Sequence, residues 1–199
     1  MELLLGGKLP KRVFVLFSNT GVTAPSFSEK DYTTAGGRMD VVARSAIYAL
    51  WDLKDTIRED SYFIAVLNGP PDPPLTLLFE PFPVVPSETT IIKEILRGIQ
   101  GLSRAVKAQR AGIFEVVQWL RRNGYKVVLL VEDGVDISRI TISPGEKYAF
   151  ILGDQIGFPA DVVRELRRKA HFTVSLGTTS YLASHCIAFV NEWLDSLKI

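Results

Sequence analysis

Three runs late in the 199-residue sequence place glycines among groups able to grip a ligand: Leu130-Val131-Glu132-Asp133-Gly134, Leu152-Gly153-Asp154-Gln155-Ile156-Gly157 and Ser175-Leu176-Gly177-Thr178-Thr179. Each continues an apolar run of strand character, and in open α/β sheets ligands bind beyond the carboxyl ends of strands, where neighbouring loops converge. Glycine there lets a flat ligand approach the main chain with no Cβ between them; the plainer account is that the glycines only turn the chain. Asp154 can act as a base, contact an amine or serve as a turn residue. Cys186 shares a helical stripe with Leu182, Phe189, Val190, Trp193 and Leu197, the setting of an inert core thiol rather than a nucleophile. His185, one position away, reads as a polar neighbour rather than a catalyst. Asp40 and Arg44 stand four apart, the spacing of a surface ion pair or of two substrate contacts on one helix face. G-x-G-x-x-G after a strand and G-x-x-x-x-G-K-[ST] are both missing, so neither a Rossmann dinucleotide site nor a P-loop is expected.

The elements that must position these residues follow from hydrophobic spacing. Residues 12–18 (RVFVLFS) read as a buried strand, and a helix from Gly37 to about Asp52 carries Met39, Val42, Ala43, Ala46, Ile47 and Leu50 on one face. Strands at 61–68 and 75–80 are joined by Gly69-Pro70-Pro71-Asp72-Pro73-Pro74, a stiff connector or strand edge. Helices follow at 88–101, opened by Ser87, and at 112–122, stopped by Asn123-Gly124. The remainder reads as strands at 125–131, 147–152 and 172–176, a helix at 159–169 and a terminal helix from about 179 to 197. Strands alternating with helices imply an α/β fold with a mostly parallel sheet flanked by helices, in a single domain over residues 1–199.

Charge is balanced: 23 Lys plus Arg against 22 Asp plus Glu leave a formal +1, so any nucleic-acid surface must be local. Basic residues gather at Arg97, Arg104, Lys107 and Arg110, and again at Arg164, Arg167, Arg168 and Lys169. Both clusters read as solvated helix faces, the second also complementing its helix dipole, or as phosphate contacts. One cysteine and two histidines, His171 and His185, exclude a disulfide framework and argue against a metal centre. The apolar start Leu3-Leu4-Leu5 is too short for a signal peptide, and no run approaches a membrane span. A soluble cytoplasmic protein is expected.

The order of motifs along the chain is more telling than any one of them. Pro25-Ser26-Phe27-Ser28 through Ala35-Gly36-Gly37-Arg38-Met39-Asp40-Val41-Val42-Ala43-Arg44 resembles the N-terminal signature of the archaeal tRNA pseudouridine N1-methyltransferases. Gly69–Pro74, Glu132-Asp133-Gly134, Phe150–Gly157, Val174–Gly177, Ser180, Ala183 and His185-Cys186-Ile187 follow in the family's order, so the resemblance spans nearly the whole chain.

The resemblance implies a knotted, SPOUT-type fold whose C-terminal trefoil knot, in about residues 125–199, binds S-adenosylmethionine in its loops, and a homodimer whose sites lie near the interface. It implies main-chain cofactor contacts around Leu130, Leu152, Gly153, Leu176, Gly177, Leu182 and Cys186. It also implies a tRNA substrate, not DNA and not a membrane. Methyl transfer to a ring nitrogen needs alignment and loss of an N–H proton, for which Asp40 and Asp154 are the candidate bases. Arg38 and Arg44 are the candidates for orienting the nucleotide or binding its phosphate. Gly153→Val should weaken cofactor binding by filling the ligand's approach to the backbone. The chain departs from the family at Tyr181-Leu182-Ala183-Ser184, where Leu-His-Ala-Asp is usual, and at Thr178-Thr179, where Pro-Lys is usual. These departures border the pocket and bear on substrate identity more than on cofactor binding. They leave two other readings: an RNA-binding paralogue without catalysis, and a methyltransferase for another RNA such as ribosomal RNA.

Overall fold

Alternation along the first strand sets the architecture. In β1 (Arg12–Ser18) Val13, Val15 and Phe17 point to one face and Phe14 and Leu16 to the other, and all are buried. A strand apolar on both faces belongs inside a sheet covered on both sides. The computed structural model, which describes residues 9–177 and 179–199, places it there, between β2 (Ser61–Leu67) and β6 (Lys147–Gly153), parallel to both. With β3 (Leu75–Phe79), β4 (Val106–Gln109), β5 (Tyr125–Asp136) and β7 (Phe172–Ser175), the sheet has the order β4-β3-β2-β1-β6-β5-β7.

Helices α1 (Met39–Leu50), α2 (Glu88–Ile99) and α5 (Ala183–Ser196) cover one face around Phe14, Phe63, Phe79 and Phe150. Helices α3 (Ile113–Arg122) and α4 (Ala160–Lys169) cover the other, around Val15, Ile64, Leu129 and Ile151. Local chemistry opens two of these helices: the Ser87 hydroxyl accepts from Thr90 N at 3.2 Å, and Glu115 accepts from Gly112 N at 2.6 Å.

Several expectations are corrected. β4 lies within the stretch of basic residues read as a helix face, so Arg97 is on α2, Lys107 is on the strand, and Arg104 and Arg110 flank it. The sheet is mostly parallel, as expected; only the β2–β3 and β3–β4 pairs are antiparallel. β5 continues to Asp136, where Leu130 and Val135 both register with Val174 and residues 131–134 bulge out. α5 begins at Ala183, not near 179.

Candidate functional site

Two hollows adjoin at the carboxyl ends of the strands. β1 has β2 on one side and β6 on the other, the kind of junction beside which α/β sheets bind ligands. Asp154 staples it. Its Oδ2 accepts from Asn19 N at 2.7 Å, and its Oδ1 accepts from Asn19 Nδ2 at 2.8 Å and Ile156 N at 3.0 Å. Asp154 N donates to Phe17 O at 3.0 Å. The carboxylate thereby ties the end of β1 to the loop after β6.

The larger hollow, about 520 Å³, is walled by the bulge after Leu130, the loop from Leu152 to Phe158 and the turn from Ser175 to Gly177, and is closed by Ala183 and Cys186 of α5 and by α4. Its size is that of a small-molecule site. Two glycines let its walls close. A Cβ on Gly134 would stand 2.4 Å from the Val174 backbone, so only glycine lets the bulge lie against β7; one on Gly153 would stand 2.9 Å from the Gly157 backbone. The physical reason expected for Gly153→Val thus changes: the side chain meets the loop's own backbone first. After β7, the Ser175 hydroxyl donates to Gly177 O at 2.8 Å and accepts from Gly177 N at 3.2 Å, curling the chain under the hollow. At the rim, Arg167 of α4 pairs with Asp133 at 2.5 Å.

The smaller hollow is lined by Arg38, Val41, Arg44, Gln155, Leu182, Ala183 and Ser184, and shares Gln155 and Ala183 with the larger. Beneath it Asp40 is buried, 2% exposed. Arg38 grips both its oxygens, through Nε at 2.9 Å and Nη2 at 3.0 Å, and Arg44 bonds Oδ2. Arg44 also pairs through Nε with Glu88 at 3.0 Å, and Glu88 accepts from Tyr32 Oη at 3.1 Å. Burial opposes ionisation of Asp40, but the bonds and charges of Arg38 and Arg44 outweigh it and hold the carboxyl below the usual range. Asp40 and Arg44 therefore do not pair on an open surface as their spacing alone allowed. Arg38 precedes α1 with φ 66, a left-handed conformation rare for a side-chain-bearing residue.

Leu130, Leu152, Gly153, Asp154, Leu176, Gly177 and Cys186 meet around the larger hollow, whereas Leu182 borders the smaller one beside Arg38 and Arg44. Thr178 lies outside the described residues. Burial raises the Cys186 thiol to about 11, which leaves it a neutral wall atom at physiological pH. Sequence reasoning missed Asn19, Glu88 and Tyr32, because their partners lie 135, 44 and 56 residues away. It also read Arg167 as part of a solvated helix face or a phosphate contact, not as the partner of Asp133 at the rim.

An α/β sheet with a peptide-walled cleft at its strand ends, next to a hollow bearing two arginines, is suited in chemistry to a small ligand beside a second, anionic or polar one. Residues 11–199 match the family model described as "Putative SAM-dependent RNA methyltransferase". The tRNA (pseudouridine(54)-N(1))-methyltransferase of Thermococcus kodakarensis is 35% identical, over 94% of this chain and 100% of the relative. The enzyme of the same name from Pyrococcus abyssi is 33% identical, over 94% of this chain and 99% of its own. Among solved structures, Archaeoglobus fulgidus Nep1 bound to S-adenosylhomocysteine superposes with a TM-score of 0.62 at 15% identity, covering 95% of this chain and 98% of that one. The chain belongs to this family of S-adenosylmethionine-dependent RNA methyltransferases.

The residues present fit that cofactor. The larger hollow offers peptide edges and apolar walls for a nucleoside, and Glu132, Asp133 and Asp154 outnumber Arg167 around it, a balance that favours a cationic ligand.

Proposed function

We propose that this chain methylates N1 of the tRNA T-loop pseudouridine, the nucleoside its relatives' names number 54. The observation that carries the reading is end-to-end similarity at 35% identity to an enzyme of that name, joined to a cleft of cofactor size that opens beside paired arginines. When bound, S-adenosylmethionine supplies a methyl group already activated on a sulfonium, so the protein's main task is orientation, which is worth on the order of 7–11 kcal/mol in favourable cases.

In this reading Leu130, Leu152, Gly153, Leu176, Gly177 and Cys186 hold the cofactor, with Leu182 at the boundary. Arg38 and Arg44 take the nucleotide or its phosphate. Asp40 and Asp154, the sequence candidates for proton removal, are given positioning roles: every oxygen of both carboxylates already accepts hydrogen bonds. Asp40 aims the arginines and Asp154 shapes the loop of Gln155. The T-loop base must leave its stack to reach the site.

A homodimer, a trefoil knot and a cytoplasmic site of action belong to the same reading. Ile156, Tyr181, Leu182 and Phe189 are exposed around the two hollows and the adjoining face of α5, an apolar patch suited to a second subunit. β7 lies at one edge of the sheet while α5 packs on α1, a placement compatible with a threaded last helix. Among the described residues no helix is long and apolar enough to cross a membrane.

The test is nucleoside mass spectrometry of tRNA incubated with the protein and methyl-labelled cofactor. Label is expected in 1-methylpseudouridine. A pseudouridine-containing tRNA that stays unlabelled while the protein binds S-adenosylhomocysteine would favour the non-catalytic paralogue, and label in ribosomal RNA alone would favour the other substrate.

A further inference from the structure

We infer that Gln155, supported by Ser184, is the residue pair that reads the ring of the target base, through the N3–H and carbonyl edge that lies away from N1. The inference rests on the pseudouridine reading above and adds a specificity-determining contact to it.

The two hollows share Gln155 and Ala183. A base whose N1 faces the methyl donor from the smaller hollow must therefore lie against Gln155. The charged side chains at that junction already have partners. Asp154 is occupied by Asn19 and Ile156, Asp40 by Arg38 and Arg44, and Arg44 also by Glu88. Gln155 is exposed, and among the described residues its amide makes no hydrogen bond. Ser184 is only 5% exposed, borders the smaller hollow, and its hydroxyl likewise has no partner among them. The Ser184 hydroxyl is not among the atoms sealed from solvent without a partner, so it opens onto the hollow, where a ligand atom can reach it.

The chemistry of the edge fits what is free. A uracil-type ring presents a carbonyl, an N–H and a second carbonyl in sequence. A primary amide offers an acceptor and a donor side by side and matches N3–H and one carbonyl as a pair, while a hydroxyl serves the other carbonyl. Arg38 and Arg44 can only donate. They tolerate carbonyls and oppose the exocyclic amine of a cytosine-type ring. In pseudouridine N3 is not the methylated nitrogen, so reading it leaves N1–H turned toward the cofactor.

The test uses two RNA stem–loops identical except for pseudouridine or 3-methylpseudouridine, whose added methyl removes the N3–H and keeps N1–H. Affinity is measured by fluorescence anisotropy with the protein saturated with S-adenosylhomocysteine, and methyl transfer to each is measured separately. Wild-type protein is expected to prefer the pseudouridine RNA about 10- to 100-fold, the discrimination typical of one paired hydrogen-bond contact. In Gln155→Ala, likewise saturated with S-adenosylhomocysteine, the preference should shrink to within about threefold. Equal wild-type affinity for the two RNAs, or a preference that survives Gln155→Ala, would overturn the inference even where pseudouridine is methylated normally. Absence of any transfer to pseudouridine would instead overturn the functional reading; the wild-type comparison needs no variant to fold.

Discussion

Asp154 illustrates how a residue's chemistry depends on what already occupies it. A carboxylate in a cleft of an N-methylating enzyme invites the role of base, yet here three donors from two segments converge on it. Asp154→Asn would turn an amide N–H₂ toward at least one of those donors and leave it unsatisfied, at about 1–3 kcal/mol. The expected outcome is roughly a tenfold or greater loss of S-adenosylhomocysteine affinity by calorimetry, since the loop of Gly153 loosens. A proton acceptor would behave differently: cofactor affinity would hold, and the rate at saturating RNA would lose its pH dependence. Cys186 and Asp40 carry the same lesson in other forms. Burial keeps the thiol neutral, and two guanidiniums keep the carboxylate charged.

Among the elements, α5 depends most on a single distant residue. Arg12 at the start of β1 is 4% exposed and reaches its far end, donating to Asn191 Oδ1 at 2.9 Å, Asp195 Oδ1 at 2.9 Å and Ile199 O at 2.5 Å. Asn191 in turn donates to Tyr48 O of α1 at 2.8 Å, and Arg58 holds Asp195 at 2.6 Å. Helix α5 supplies Ala183, Ser184 and Cys186 to the site from its other end, so the clamp fixes the wall it forms. Arg12→Met should cost about 2–4 kcal/mol by denaturant unfolding, because the buried Asn191 loses a partner while the half-exposed Asp195 keeps Arg58 and water. An unchanged midpoint would show that packing alone seats the helix. The helices and buried strands were legible because their periodicities are local: 12–18 and 75–80 alternate or run apolar as strands must, and 88–101 and 159–169 repeat at helical intervals. β4 was not, because Val106–Gln109 has no apolar run and becomes a strand only by pairing with β3.

At the scale of the molecule, balanced charge is distributed as pairs. The clusters that looked like phosphate-binding faces are largely neutralised: Arg97 by Glu94, Lys107 by Glu80, Arg110 by Asp72, Arg167 by Asp133, and Arg168 and Lys169 by Glu165. RNA affinity should therefore rest on the base and only a few phosphates, since Arg38 and Arg44 are themselves paired with Asp40 and Glu88. With about three phosphates neutralised, raising salt from about 50 to 200 mM should weaken binding only about twenty- to fortyfold in a titration. A loss of about a thousandfold or more would mean that these pairs open to the backbone and that the RNA-binding face is much larger.

The sequence by itself determined the α/β class, most element positions, the three strand-end loops and the family, because each depends on residue type and spacing within short stretches or on motif order along the chain. Tertiary structure alone decided that Asn19 meets Asp154 across 135 residues, that Asp40 lies beneath two arginines, and that Gln155 stands between the two hollows. Those facts are set by which strands become neighbours in the sheet, and pairing between distant segments leaves no periodic trace in either one.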